Sequence, residues 1–367
     1  MERNSNRVLV GMSGGVDSSV ATGLLVEQGY DVIGITIKTY KYEDVGGNVG
    51  NDSTCCSLDG INDARRIALN LGVPHYTVDF SETFKDQVIN YFVEDYLAGN
   101  TPNPCVMCNR QIKWAEMLKK ADSLGAEFIA TGHYAQIMHD ETTGRRWIRR
   151  SDDPHKDQSY MLWSVRQEHL GRTLFPLAGF TKPQSREEGQ RLQLDIASKP
   201  ESYEICFIPD NDYRRFLRDA RPDIDQTIGK GQFMLDGNVI GQHDGYPFYT
   251  VGQRKGLGIA HSEPLYVLNV LPTENVIELG TEEKLEATAL TAHSVNLQKY
   301  ADLQDPRRFM VKIRYKDDGA MATCFTDNDG TLHVCFDEPR RAIARGQSVV
   351  MYEGDDVVGG GIIRDSK

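Results

Sequence analysis

The chain has 367 residues, of which 40% are hydrophobic and 26% charged, a composition typical of a globular protein with two or three domains. No stretch approaches the roughly 18 unbroken apolar residues of a membrane helix, and seven cysteines behind a start unlike a signal peptide indicate a cytoplasmic protein without a disulfide framework. The net charge of −12, from 41 basic and 53 acidic residues, argues mildly against a nucleic-acid partner, although basic clusters at 307–316 and 340–345 leave that class open.

The first half of the chain alternates strand and helix patterns. Strands are predicted at 7–10, 31–38, 75–80 and 127–134, and helices at about 18–28, 59–72, 84–97 and 111–124. Gly29 and Gly72 are expected to end two of the helices. Because apolar strands that alternate with helices are typical of a doubly wound parallel sheet, we predict an α/β fold. The segments 42–52 and 99–110, rich in Gly, Asn or Pro, are predicted to be long functional loops.

The pattern changes in the second half. An Asp-Gly pair at 236–237 predicts a hairpin, and many glycines around it suggest a small mixed middle domain. From about residue 286, short alternating strands predict a C-terminal β-barrel. Cys324 and Cys335 lie on such strands and are expected in the core. We therefore place the domains at 1–208, 209–283 and 284–367.

The stretch "SGGVDSS" at 13–19 follows the first strand and opens a helix. Glycines let backbone amides approach phosphate oxygens, the helix start adds positive charge, and Asp17 offers a ligand for water-bound Mg²⁺. The alternative is a simple turn with Asp17 or Ser18 as N-cap. The stretch lacks the Gly-Lys-Ser/Thr ending of a Walker loop. It resembles the PP-loop of the ATP-pyrophosphatase superfamily, whose members split ATP between the α and β phosphates.

Further motifs extend this resemblance along nearly the whole chain. They are "TPNPCVMCNRQIKW" at 101–114, "ATGHYA" at 130–135, "KDQSYML" at 156–162, "EICFIPD" at 204–210, "YTVGQRKGLGI" at 249–259 and "FDEPRRAIARGQSVVMY" at 336–352. In this order and spacing they resemble bacterial tRNA-specific 2-thiouridylases. The resemblance implies an adenine nucleotide hydrolase-like PP-loop domain that uses ATP and Mg²⁺ to adenylate the C2 oxygen of the wobble uridine in tRNA. Sulfur would come from a cysteine persulfide, loaded by a cysteine desulfurase or a sulfur-relay protein, with no membrane partner.

The resemblance also implies site residues. Cys108 corresponds to the nucleophile and Cys206 to the cysteine that carries the persulfide. The nucleotide site is expected at Gly11, Met12, Ser13, Gly14, Gly15, Val16, Asp17, Ser18, Ile37 and Gly132. Asn103, Pro104 and Cys105 are expected at the target base. Further tRNA contacts are expected at His133, Lys156, Asp157, Gln158, Arg314, Tyr315 and Gln347.

Cys105 departs from the family pattern, because many members have an Asp there that is thought to act as a general base. A thiol with an ordinary pKa near ~8.5 is a poorer base at neutral pH. Three explanations stay open. Cys105 is ionised and replaces the Asp, or catalysis does not need the base, or Cys105, Cys108 and Cys206 together hold a [4Fe–4S] cluster.

Two other classes of function are also open. A PP-loop ligase that acts on a small molecule would share the phosphate loop but would need neither paired reactive cysteines nor an appended barrel. A zinc-stabilised RNA-binding module would need four ligands, usually in two close pairs. Only Cys105 and Cys108 form such a spaced pair in the sequence, which makes the zinc module the weaker alternative.

Overall fold

A computed structural model describes residues 3–41, 58–194 and 205–367. The predicted loop at 42–52 lies outside these ranges. The chain divides into two compact units, the first formed by Met1–Val88, Cys105–Asp212 and Asp355–Val357, the second by Ile89–Pro104, Tyr213–Gly354 and Val358–Lys367. Within the described ranges, no helix is long and apolar enough to cross a membrane.

The first unit is built on a parallel sheet, as the alternation of strands and helices predicts. The strands of the unit are β1 Asn4–Gly11, β2 Asp31–Lys38, β3 His75–Asp79, β4 Ala126–Ala130, β5 Gln136–His139, β6 Arg146–Arg149 and β7 Thr173–Leu174. Of these, β5 and β6 form a hairpin that is not part of this sheet. The parallel sheet has the order β3-β2-β1-β4-β7. The direction of strand order changes beside β1, so β1 and β4 flank the switch point at which α/β sheets bind ligands.

The core explains why the central strands are almost continuously apolar. Val8 and Val10 of β1 are fully buried and pack with Val20, Leu25 and Ile67 from two helices. Leu9 is also fully buried, between Ile33 of β2 and Ile129 of β4. Both faces of β1 are therefore covered, as is usual for a central parallel strand.

Helices cover this sheet and connect its strands. The α-helices of the first unit are Val16–Glu27, Leu58–Asn70, Ser81–Phe84, Met117–Ser123, Gln167–Leu170 and Lys182–Arg191. Ser159–Leu162 forms a 3₁₀ turn. Two segments are π-helical, Lys85–Ile89 and Cys108–Glu116. The predicted ending of the first helix is confirmed, because Gly29 follows it with a φ of +82°.

The prediction of a loop over 99–110 is wrong in its second half. A helical turn, Pro104–Met107, begins inside it and continues directly into the π-helix Cys108–Glu116. Proline is favourable at the first position of a helix because its missing N–H is not needed there, which explains the early start. Cys105 and Cys108 therefore lie three residues apart in one helical run instead of in an irregular loop.

The second unit contains two β structures. Its strands are β8 Gly231–Leu235, β9 Asn238–His243, β10 Tyr266–Leu271, β11 Val276–Gly280, β12 Glu286–Leu297, β13 Arg307–Lys312, β14 Ala320–Thr326, β15 Leu332–Arg341, β16 Ser348–Glu353 and β17 Asp356–Ser366. Its helical segments are Asn90–Leu97, Tyr213–Ala220, Ile224–Thr227 and the 3₁₀ turns Tyr246–Phe248 and Glu282–Leu285. A mixed sheet has the order β10-β11-β8-β9, and the predicted hairpin joins β8 to β9.

The C-terminal barrel is also confirmed. Its strands follow the order β12-β15-β14-β13-β16-β17, and an additional pairing of β12 with β17 closes it. Cys324 is fully buried in its core, as predicted. The prediction for Cys335 is wrong, because this residue is exposed between the buried residues Val334 and Phe336. Side chains alternate across a strand, so Cys335 points outward.

Candidate active site

Two backbone turns meet at the carboxyl ends of β1 and β4. A Cβ atom on Gly132 would lie 2.6 Å from the backbone carbon of Asp17 and the backbone nitrogen of Ser18. Gly14 has a φ of +70°, and a Cβ there would lie 2.2 Å from the carbonyl oxygen of Gly60. Both positions therefore require glycine. The absence of a side chain at Gly132 lets the backbone of the 130–133 turn contact the backbone of the 11–18 loop directly.

Serine side chains shape the phosphate-loop candidate from within. The backbone N–H of Ser13 donates to Ser18 Oγ at 3.1 Å, and Ser18 Oγ donates to the carbonyl of Gly15 at 3.2 Å. Gly15 occupies the N-cap of the Val16–Glu27 helix and supplies no side-chain acceptor for its first amides. In contrast, Thr181 caps the Lys182–Arg191 helix with a full capping box. The first amides of the Val16–Glu27 helix therefore lack a side-chain cap, which is the arrangement found where helix starts bind anions.

Two apolar residues of the phosphate-loop candidate have buried side chains. Met12 is 2% and Val16 is 5% exposed, so their side chains belong to the core. The carbonyl of Met12 accepts from Thr36 Oγ1 at 2.8 Å, and its N–H donates to the carbonyl of Ile35 at 2.7 Å. Ile37 lies two positions further along β2, paired with Val78. These bonds hold the start of the loop against the sheet.

Asp17 has two partners that the sequence analysis missed. Its Oδ1 accepts hydrogen bonds from the Tyr134 hydroxyl at 2.7 Å and from Lys182 Nζ at 2.6 Å. The Lys182 side chain is only 10% exposed. Lys182 is also the first residue of its helix, where the helix dipole disfavours a cation. A lysine at the first position of a helix is unfavourable unless an anion lies nearby. The place of Lys182 in the sequence was therefore the signal that could have indicated an acidic partner.

His133 lies beneath the same turn. Its Nδ1 is 2.7 Å from Thr131 Oγ1 and its Nε2 is 3.5 Å from Lys113 Nζ. Burial, and then the charge of Lys113, holds the pKa of His133 well below its ordinary value. The imidazole is therefore neutral at physiological pH, and only 8% of the residue is exposed.

The Lys-Asp-Gln stretch at 156–158 lies next to this turn. Gln158 Oε1 accepts from the backbone N–H of Tyr134 at 3.0 Å, and the Gln158 N–H donates to the Tyr134 carbonyl at 3.1 Å. The Asp157 carboxylate accepts from the N–H and the hydroxyl of Ser159, at 3.0 and 2.9 Å. Lys156 is half-buried. Asp157 and Gln158 thus order the backbone beside Tyr134.

The three cysteines of interest all lie in the first unit. Cys105 is exposed, while Cys108 and Cys206 are half-buried. Cys105 and Cys108 are three positions apart on a helical backbone, a spacing that places side chains on one side of a helix. The carbonyl of Cys206 accepts from the Tyr40 hydroxyl at 3.1 Å. The next residue, Phe207, is buried against Phe84, with ring centroids 5.7 Å apart.

These cysteines do not form a metal-binding set in the structure. Among the described residues, no three His, Cys, Asp or Glu side chains are grouped closely enough to hold a metal ion. All three cysteines are described, so the geometry does not fit a three-thiolate site for a [4Fe–4S] cluster. Nor does the described part of the chain contain a group of acidic side chains that would bind Mg²⁺ by protein ligands alone.

In the second unit, a turn of the barrel holds the segment that precedes Asn103. Gln347 Nε2 donates to the carbonyls of Thr101 and Pro102, at 3.0 and 3.2 Å. The Thr101 N–H donates to the carbonyl of Arg345 at 2.7 Å. Gly346 has a φ of +84°, and a Cβ there would lie 2.9 Å from Asn100 Cβ. The amide of Gln347, expected to touch tRNA, is thus used to hold the protein backbone.

A buried carboxyl group supports the same segment from the helix before it. Asp95 Oδ1 accepts from Asn100 Nδ2 at 3.1 Å, and burial raises the pKa of Asp95. The Tyr91 hydroxyl hydrogen-bonds to the Asp95 carboxylate and to the backbone of Asn103, and burial raises the pKa of Tyr91. Asn103 itself is 9% exposed. The position of Asn103 therefore depends on two separate parts of the second unit.

The cations of the barrel differ in their exposure. Arg314 and Tyr315 are exposed, and an Arg314 guanidinium nitrogen donates to the carbonyl of Arg341 at 3.3 Å. The Arg340 guanidinium is paired with the buried carboxylate of Asp317. A charge change at Arg340 would therefore disturb the barrel itself, whereas Arg314 offers its charge to solvent.

Comparisons with known proteins agree along the whole chain. Three family models match, described as tRNA methyl transferase HUP domain over residues 6–210, tRNA methyl transferase PRC-barrel domain over 216–281 and Aminomethyltransferase beta-barrel domain over 287–363. The tRNA-specific 2-thiouridylase MnmA of Salinibacter ruber is 51% identical over 98% of this chain and 94% of its own. The MnmA proteins of Amoebophilus asiaticus and Clostridioides difficile are 52% and 45% identical, over 98% and 99% of this chain and 96% and 99% of theirs.

The contact at Gly132 predicts a specific cost of adding a methyl group. Gly132→Ala should lower the free energy of unfolding by about 2 kcal/mol, because the backbone at Asp17 and Ser18 must move. Gly179→Ala is the matched control, since the added Cβ would lie 3.8 Å from Asp152 Oδ2, an ordinary contact. Urea denaturation of both variants measures the difference, and equal midpoints would contradict the close approach.

The buried pair predicts a second difference in stability. Lys182→Met should cost about 2 kcal/mol, because it leaves the Asp17 carboxylate without its cation in a largely buried site. Lys38→Met is the control, since the Lys38–Asp79 pair is exposed, with side chains 39% and 53% exposed and a longer N–O distance, 3.2 Å against 2.6 Å. If urea denaturation gave both variants the same small loss, the pair would have no structural role.

Proposed function

Because the chain belongs to the tRNA-specific 2-thiouridylase family, we propose that it replaces the C2 oxygen of the wobble uridine of tRNA with sulfur, at the expense of ATP. The similarity over nearly the full length carries this proposal. The glycine-dependent loop at the switch point of a parallel sheet supports it independently, since such a site suits a nucleotide. The domain limits 1–208, 209–283 and 284–367 are part of the proposal.

The first half of the reaction uses the turn around Gly15. Backbone amides at the start of the Val16–Glu27 helix bind the ATP phosphates, and Lys182 and Asp17 lie beside them. The uridine C2 oxygen attacks the α-phosphorus, pyrophosphate leaves, and the C2 oxygen then carries AMP. Mg²⁺, when bound, would neutralise charge on the separating phosphates, and the Asp17 carboxylate, whose Oδ1 accepts from Lys182 and Tyr134, would hold it through water.

The second half uses two cysteines. The terminal sulfur of a persulfide on Cys206 attacks uridine C2, and AMP leaves with the oxygen. The Cys108 thiolate then attacks Cys206 Sγ and breaks its bond to the transferred sulfur. The thiolated base is released, a Cys108–Cys206 disulfide remains, and an external dithiol reduces it. The partial exposure of both cysteines is compatible with access by tRNA and by a sulfur donor.

The partners follow from this chemistry. tRNA is the substrate, and a cysteine desulfurase or a sulfur-relay protein supplies the persulfide. We place the reaction in the cytoplasm, where tRNA is modified and thiols stay reduced. For tRNA contacts we propose Asn103, Pro104, Cys105, His133, Lys156, Asp157, Gln158, Arg314, Tyr315 and Gln347. Asp157, Gln158 and Gln347 act through the backbone that they hold, whereas His133 is held by the side chain of Thr131.

Other reactions have less support. Methyl transfer, named in two family descriptions, does not require a loop that splits ATP between its α and β phosphates. A small-molecule ligase with the same loop does not need a barrel whose turn holds the segment before Asn103. The same thiolation through a [4Fe–4S] cluster would require Cys105, Cys108 and Cys206 to move together from the described geometry.

The cysteine assignment gives the central test of this function. Incubation of the wild-type chain with ATP, Mg²⁺, a persulfide donor and unmodified tRNA should yield 2-thiouridine, measured by mass spectrometry of digested tRNA. Cys108→Ser and Cys206→Ser should each reduce the yield at least a hundredfold, because each removes one sulfur transfer. Cys335→Ser is the control, since Cys335 is exposed in the barrel and has no step in the reaction. Full activity of either active-site variant would refute the assignment.

Substitutions of Cys105 distinguish the three explanations of its role. If it acts as a base, Cys105→Asp should keep full activity and Cys105→Ser should lose about tenfold or more. If no base is needed, both variants should stay active. If a cluster is used, both should lose activity together with iron. Anaerobic purification followed by iron and acid-labile sulfide assays measures the last outcome. We expect no iron and an active Cys105→Asp.

A further inference from the structure

A strongly basic cavity lies in the first unit beside the helical run that begins at the reactive cysteines. Its volume is about 490 Å³. Five cationic side chains line it, Arg3, Arg110, Lys119, Arg166 and Arg172, against the acidic side chains of Asp122 and Glu168. In a chain with a net charge of −12, such an excess of cations in one concave place is a specific feature.

Most of these cations are paired with acidic residues in and around the cavity, mainly at exposed positions. Lys119 pairs with Glu116 at 2.7 Å, and Arg3 lies 3.7 Å from Glu127. Asp122 pairs with Arg3 at 3.2 Å and with Arg172 at 2.9 Å. Glu168 is 3.6 Å from Arg166, and both side chains are more than half exposed. Pairs of this kind are weak in water. Arg172 is further held by the carbonyls of Ala126 and Glu127, so it is a fixed part of the wall.

Arg110 is the unsatisfied member of the group. Its Nε is buried, and no hydrogen-bond partner for that atom is found in the ranges that the structure describes. Burial, and then the charge of Arg166, lowers the pKa of Arg110, so the two guanidinium groups are near enough to repel each other. A buried donor without a partner is costly unless a ligand supplies an acceptor, and an anion between the two guanidinium groups would also relieve their repulsion.

We propose that this cavity binds a backbone phosphate of the tRNA substrate, with Arg110 and Arg166 as its donors. Guanidinium groups match phosphate oxygens by paired hydrogen bonds, which suits a site with two arginines. Arg110 is two residues after Cys108 on the π-helix Cys108–Glu116, so a phosphate held here belongs to a nucleotide near the target uridine. The inference rests on the proposed function, because it assigns this surface to the same substrate.

The lining favours RNA over an acidic protein partner. Ala115 and Leu118 are the only two apolar residues among the eleven that line the cavity. Protein–protein interfaces usually have an apolar core, whereas nucleic-acid interfaces are more polar and more positive. A sulfur-donor protein with an acidic surface is the competing occupant, and it is separated by the test below.

The test measures binding of unmodified tRNA by fluorescence anisotropy over a series of NaCl concentrations. Arg166→Gln and Arg110→Gln should each weaken binding about tenfold at low salt. Each should also reduce the slope of log Kd against log salt by about 1, as expected for one lost phosphate contact. Arg66→Gln is the matched control, since Arg66 is 51% exposed and pairs with Asp63, much as Arg166 is 55% exposed and pairs with Glu168.

The outcomes distinguish this inference from the function on which it rests. If the wild type binds and thiolates tRNA while both variants keep its affinity and salt slope, the inference is overturned and the function stands. If the variants keep tRNA affinity but lose thiolation only with a protein sulfur donor, and not with a small-molecule persulfide, the cavity belongs to that donor. If the wild type neither binds nor thiolates tRNA, both proposals are wrong. Arg166 is exposed, so its variant tests the inference even if loss of the half-buried Arg110 lowers stability.

Discussion

The site depends on one steric constraint, the contact of the backbone at Gly132 with the backbone of Asp17 and Ser18. This contact joins the turn after β4 to the loop after β1, the two strands that flank the switch point of the sheet. Because no side chain intervenes, the loop amides are positioned by the sheet itself, and little freedom is lost when an anion binds. The hydrogen bonds of Asp17 to Tyr134 and Lys182 then connect the loop to two further elements.

Several residues that the family resemblance associates with tRNA are engaged within the protein. Gln158 holds the backbone of Tyr134, Asp157 holds Ser159, and Gln347 holds the carbonyls of Thr101 and Pro102. Such side chains affect RNA binding by fixing the backbone that meets it, since a site on supported elements keeps its geometry. The basic cavity at Arg110 is different, because the buried Arg110 Nε has no hydrogen-bond partner among the described residues.

Much of the fold could be predicted from local patterns. Apolar strands alternating with helices predicted the parallel sheet, and the Asp236–Gly237 pair predicted the β8–β9 hairpin. The errors arose where local composition conflicts with another signal. Pro104 starts a helix within a segment whose Pro and Asn content is typical of a loop. Cys335 is exposed because strand alternation, and not residue type, decides which face a side chain occupies.

The sequence by itself determined the family and the residue types of the site, because glycines, serines and cysteines at fixed spacing carry that information in one dimension. It also determined the architecture, since hydrophobic periodicity is local. Only the tertiary structure decided which distant residues meet. Three contacts bring together residues that are far apart in the chain. Asp17 pairs with Lys182, Gln347 supports Thr101, and one cavity is lined by Arg3, Arg110 and Arg166. No local sequence pattern predicts such contacts, because each depends on how the sheet or the barrel brings separate segments of its own unit together.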